Sequence, residues 1–81
     1  MQRLSAHPTD GVPAAALTER QREVVALVAE GMTNQAIADR LDLTRVTVSH
    51  HVATILWRLG LTSRGEIAAW AIGQDWAAHG R

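Results

Sequence analysis

An all-α fold, a small four-helix domain, is predicted for this 81-residue sequence by three observations. Apolar residues recur at helical spacing in four short blocks. A Thr or Ser stands just before each block, where a side-chain oxygen can cap a helix. Strand patterns are missing: no run alternates with period two, and Phe and Tyr do not occur.

Residues 1–16 carry Pro8, Gly11 and Pro13 without helical period, and are read as a flexible tail or linker. Residues 17–78 form the expected domain, and 79–81 a second tail. Thr18-Glu19-Arg20-Gln21 is a capping box, which opens a first helix over about 19–30. Val24, Leu27 and Val28 give its apolar stripe, and Gly31 suits the position after its end. Thr33 caps a second helix over about 34–41, with Ile37, Ala38 and Leu41 inward. Asp42 and Leu43 turn the chain. Thr44 caps a third helix over about 45–59, ended by Gly60. Its Val48, Val52, Ile55 and Leu59 fall within about 40° of one line on a helical wheel. Ser63-Arg64-Gly65-Glu66 is a second capping box, opening a fourth helix over about 64–73. The expected core is Leu17, Val24, Leu27, Val28, Ile37, Leu41, Leu43, Val48, Val52, Ile55, Leu59, Ile67 and Trp70.

Composition narrows the function. Without Cys there is no disulfide frame, thiolate metal site or Cys nucleophile. No apolar run is long enough to span a membrane, and Met1 to Pro8 lacks the apolar core of a signal peptide. There is no Gly-rich phosphate loop, paired-carboxylate cleft or nucleophile–base pair, so no enzyme and no cofactor is expected. His50 and His51 are adjacent and diverge by about 100° on a helix, so they do not share a metal.

The formal net charge of zero is a cancellation. Residues 43–65 hold Arg45, Arg58 and Arg64 and no acid, whereas residues 17–42 hold two more acids than bases. The acid-free stretch is also the second helix of a tight helix-turn-helix. In that geometry the second helix places its N-terminal turns in the major groove of DNA. On the wheel Ser49, His50 and Ala53 face outward, where base edges would lie, and Thr54 sits beside them. Arg45 and the hydroxyls of Thr44, Thr47 and Ser49 surround a helix N-terminus, whose exposed amides and positive dipole end suit phosphate. Trp57 also points outward. On the fourth helix Ile67, Trp70 and Ala71 share one side, and Ala69, Ile72 and Trp76 share another. Only one side can face the core, so Ala69, Ile72 and Trp76 are expected to form a dimer seam.

Four blocks in order resemble a known family. They are Leu17-Thr18-Glu19-Arg20-Gln21-Arg22-Glu23-Val24-Val25, Glu30-Gly31-Met32-Thr33-Asn34-Gln35-Ala36-Ile37-Ala38, the spacing of Thr44, Thr47, Val48, His51, Ile55, Arg58, Leu59 and Gly60, and Ser63-Arg64. Over about residues 17–72 the chain resembles the LuxR (GerE) type helix-turn-helix. The resemblance implies a cytoplasmic, nucleoid-associated bacterial transcription-factor domain that binds double-stranded DNA with helix 3 and forms a homodimer through helix 4. It also implies an N-terminal sensory or ATPase region in the wider protein. The family's base-contacting positions fall on Ser49, His50 and Ala53. Its backbone-contacting positions fall on Thr33, Thr44, Thr47, His51, Arg58 and Arg64. The family usually carries Lys or Arg among the outward positions of helix 3, and this chain has no Lys. Two functions are therefore weighed: a sequence-specific DNA-binding module, and a protein-interaction or dimerisation module on the same fold with weak or lost DNA binding.

Overall fold

Side-chain caps fix where each helix begins. In the computed structural model, which describes residues 16–74, the four helices are α1 (Glu19–Ala29), α2 (Asn34–Leu41), α3 (Arg45–Leu59) and α4 (Arg64–Gly73). Thr18 Oγ1 accepts from the Gln21 amide at 3.1 Å, and Gln21 Oε1 accepts from the Thr18 amide at 2.9 Å. That reciprocal pair satisfies two donors with no helical partner of their own, and it leaves Gln21 buried. Thr33 and Thr44 accept from the Ala36 and Thr47 amides at 3.1 and 3.0 Å.

Three of the four helices end by one device. After α1, the Met32 amide donates to Leu27 and the Gly31 amide to Val28, with Gly31 at φ 86°. After α3, Leu61 donates to Leu56 and Gly60 to Trp57, with Gly60 at φ 69°. After α2, Leu43 donates to Ala38 at 2.8 Å, and the left-handed residue is Asp42 at φ 60°, ψ 45°. The ends of α1 and α3 follow the Schellman pattern, and at the end of α2 the Asp42 amide donates to Ala38 as well; in all three a left-handed residue lets the chain reverse and meet orphan carbonyls. Glycine takes that conformation freely, whereas Asp pays a steric cost at Cβ. Asp42→Gly should therefore raise stability by about 0.5–1 kcal/mol. The check is a melting temperature higher by several degrees.

The core gathers one face of every helix. Leu17, Val24, Val25, Leu27, Val28, Ile37, Ala38, Val48, Val52, Ile55, Leu59, Ile67, Trp70 and Ala71 are buried. α1 packs on α4 and α3, so Val25 is buried together with Val24 and Val28. Leu41 and Leu43, expected in the core, are only half-buried and pack against its edge. They flank the turn at Asp42, where the chain passes over the surface between α2 and α3. Ala38, fully buried, gives α2 and α3 room to lie together as a helix-turn-helix. Among the described residues, no helix is long and apolar enough to cross a membrane. Of the tails assigned to residues 1–16 and 79–81, residues 1–15 and 79–81 lie outside the described residues, as does the end of the domain at 75–78.

The second capping box has a consequence for acid stability. Glu66 Oε1 accepts from the Thr62 amide at 2.6 Å, the Thr62 hydroxyl at 3.0 Å and the Ser63 amide at 3.2 Å. These donors, the Thr62 amide first, hold the Glu66 carboxyl below its ordinary value. A carboxylate with a depressed folded-state value stabilises the fold above its unfolded value, and the gain is lost as pH falls through the folded one. Glu66→Gln should melt lower than the native chain at pH 7, and the two should converge toward pH 3. Thermal melts across that range test it.

Candidate nucleic-acid interface

The buried side of α3 determines what its other side presents. Val48, Val52, Ile55 and Leu59 are anchored in the core, so Ser49, His50 and Ala53 project outward and are exposed. His51 and Thr54 lie at the flanks and are half-buried. Two large apolar side chains join the outward face: Val46 is 73% exposed and Trp57 82%. Val46, His50, Ala53 and Trp57 are spaced by four, three and four residues, which places them in one line over three turns. The middle of this face therefore offers apolar surface and an imidazole, with no acid anywhere from Leu43 to Gly65.

Hydroxyls collect at the N-terminal end of the same helix. The Thr44 hydroxyl donates to Thr47 Oγ1 at 2.9 Å while Thr44 Oγ1 accepts from the Thr47 amide. Thr44 and the neighbouring Arg45 are exposed, and Thr47 is half-buried. Thr33, exposed, caps the start of α2 by accepting from the Ala36 amide. Amides at a helix N-terminus, a guanidinium and small hydroxyls are the groups that hold phosphate oxygens.

The arginines differ in what they touch. Arg58 is exposed, and its Nη1 donates to the Ala16 carbonyl at 3.1 Å, tying the segment before α1 to α3. Arg64 is half-buried at the start of α4 and turned into the protein. Its Nη1 donates to Asn34 Oδ1 at 2.7 Å and its Nη2 to the Met32 carbonyl. Asn34 Nδ2 in turn donates to Ser49 Oγ at 3.1 Å. Sequence reasoning did not assign Asn34 to the site, because its partners lie 15 and 30 residues away and no local pattern links them. Val46 was also missed, although its wheel position beside His50 was there to read.

On α4, Ile67, Trp70 and Ala71 are buried, whereas Ala69 is exposed and Ile72 is 63% exposed. Trp76, assigned to the same strip, lies outside the described residues. Among the described residues no group of His, Cys, Asp or Glu is arranged to hold a metal ion.

Comparison with known proteins agrees with this geometry. The family of bacterial regulatory proteins called the luxR family (GerE) matches residues 15–71. The nitrate/nitrite response regulator protein NarL of Escherichia coli is 46% identical over 54 residues, covering 67% of this chain and 25% of NarL. The DNA-binding transcriptional activator DevR/DosR of Mycobacterium tuberculosis is 39% identical over 59 residues, covering 73% of this chain and 27% of its own. The transcriptional regulatory protein LiaR of Bacillus subtilis is 35% identical over 71 residues, covering 88% of this chain and 34% of LiaR. The chain thus spans about a third or less of the length of these relatives. With the match running from before α1 well into α4, the chain belongs to the luxR family of bacterial regulatory proteins, and these helices are that family's DNA-binding helix-turn-helix domain.

Proposed function

We propose that this chain is the sequence-specific DNA-reading part of a bacterial transcriptional regulator, with α3 in the major groove of double-stranded DNA. The observation that carries the reading is the outward face of α3. It is exposed, free of acids, headed by an amide-and-hydroxyl cluster, and rigidly set by four buried residues on its other side. Ser49, His50 and Ala53 meet base edges. Thr33, Thr44, Arg45, Thr47, His51, Thr54 and Arg58 meet the sugar-phosphate backbone, and Arg64 sits behind them. The protein works in the cytoplasm, at the nucleoid, without a cofactor. Its relatives include a response regulator, which supports an N-terminal regulatory region acting on this domain.

Two copies associate through the exposed side of α4 at Ala69 and Ile72, and through Trp76, which the sequence assigns to the same strip. A homodimer places two α3 helices one turn of DNA apart, on a pseudo-palindromic site. Ile72→Ser should leave thermal melting nearly unchanged, because the side chain is exposed, and should weaken self-association in sedimentation velocity. A cooperative loss of folding would instead place Ile72 in the core.

Selection of bound sequences from a random duplex pool, at two salt concentrations, tests the main reading. An enriched palindrome, with affinity falling steeply as salt rises, supports it. A second reading is favoured by the exposure of Trp57 and Val46 and by the absence of Lys: an interaction module that has kept the fold and lost DNA affinity. No enrichment, with self-association intact, would establish that alternative.

A further inference from the structure

We infer that Arg64 and Asn34 orient the Ser49 hydroxyl so that its proton stays free to donate to a purine N7 in the major groove. The inference rests on the DNA-binding reading and adds a specificity rule to it.

The polarity follows from chemistry that leaves little choice. A guanidinium only donates. Arg64 Nη1 lies 2.7 Å from the Asn34 side chain, so the atom facing it must be the amide oxygen. The Asn34 amide nitrogen then faces Ser49 at 3.1 Å. That NH₂ is a donor, so Ser49 Oγ is the acceptor and its proton points elsewhere. Ser49 is exposed on the outward side of α3, which opens the proton to an acceptor outside the protein. Each bond in the series points away from the Arg64 cation, and aligned bonds of this kind strengthen one another. Arg64 is itself held in place by the Met32 carbonyl between α1 and α2.

In the major groove a donor distinguishes bases. Adenine and guanine both offer N7 as an acceptor and thymine offers O4, whereas cytosine offers an amino donor. N7 also lies on the edge of the groove nearest its own backbone, within reach of a side chain as short as serine. A Ser whose proton was used on Asn34 would offer the groove only a lone pair. Arg64 and Asn34 prevent that by making Asn34 the donor. They are positioning residues, and Ser49 is the group that touches the base.

The test uses the 81-residue chain and the duplex most enriched from the random pool. Purines are replaced one at a time by 7-deaza analogues, which carry CH in place of N7. For the native chain, one purine in each half-site should show about a fivefold loss of affinity, the scale of one net hydrogen bond. Ser49→Ala should bind the unmodified duplex about fivefold more weakly and should not sense the analogue at that position. Asn34→Asp retains a partner for Arg64 but can only accept, so Ser49 would donate to it. Affinity for all duplexes should fall, and the ratio between modified and unmodified duplex should drop to near one. Arg64→Lys, which cannot hold Met32 and Asn34 together, should shrink the same ratio.

An enriched duplex with no N7-sensitive purine, or equal N7 sensitivity in Ser49→Ala, overturns the inference and leaves DNA binding intact. Full N7 sensitivity in Asn34→Asp overturns the positioning roles. A pool with no enriched duplex removes the DNA-binding reading itself.

Discussion

Ala53→Glu should reduce affinity for the selected duplex at least about 100-fold while leaving the helical fold unchanged. Ala53 lies in the middle of α3 and is exposed, so the larger side chain displaces nothing. Glu has helix propensity close to that of Ala, so the cost to folding is about 0.4 kcal/mol. In the groove the balance is different. A carboxylate beside two rows of phosphates is repelled by both, and it loses water without gaining a partner. Its neighbours on the outward face, Ser49 and Trp57, carry no cation to offset it. Ala53→Gln has nearly the same shape without the charge and should bind within about tenfold of the native chain. Fluorescence anisotropy at fixed salt, with circular dichroism as the folding control, separates these outcomes. Native-like affinity in Ala53→Glu would mean that the outward face of α3 does not enter the groove.

The helices were legible because their determinants are local. Each cap joins residues three apart, as Thr18 and Gln21 or Ser63 and Glu66 do, so a short window holds both halves of the interaction. The outward trio on α3 was legible for a related reason: one apolar stripe, once buried, orients the rest of a rigid helix. Legibility stopped where the determinant was a contact between elements. Arg64 reads in sequence as a basic residue available to phosphate. In the structure it is half-buried, and two of its nitrogens already donate to Asn34 and Met32. Nothing in the spacing of residues 32, 34, 49 and 64 announces that they meet. Val25 shows the same limit in the core, since its burial depends on α1 lying against both α3 and α4. Leu41 and Leu43 err in the opposite direction. Their apolarity suggested full burial, but the left-handed turn at Asp42 holds them at the rim.

The site and the fold share one helix, and Ile55→Ala should expose that dependence. Ile55 is fully buried on α3. Truncating such a side chain removes its transfer free energy and leaves a cavity, at a cost of about 2–5 kcal/mol. A domain of this size has only about 3–9 kcal/mol of stability in total, at roughly 0.05–0.15 kcal/mol per residue. Ile55→Ala should therefore be largely or partly unfolded at 37 °C, a temperature that ~25 °C energies place on the falling side of the stability curve. Ile55→Val removes one methyl group, costs about 0.5–1.5 kcal/mol, and should stay folded with a lower melting temperature. Unfolding and loss of contact then become distinguishable by mass action. A duplex that binds only the folded chain stabilises it by about 2.7 kcal/mol at a hundred times its Kd. Excess selected duplex should thus restore helicity to Ile55→Ala, as read by circular dichroism in the far ultraviolet. It should leave Ala53→Glu, already folded, unchanged. Helicity of Ile55→Ala that does not respond to duplex would mean that DNA does not engage the side of α3 that Ile55 holds in place.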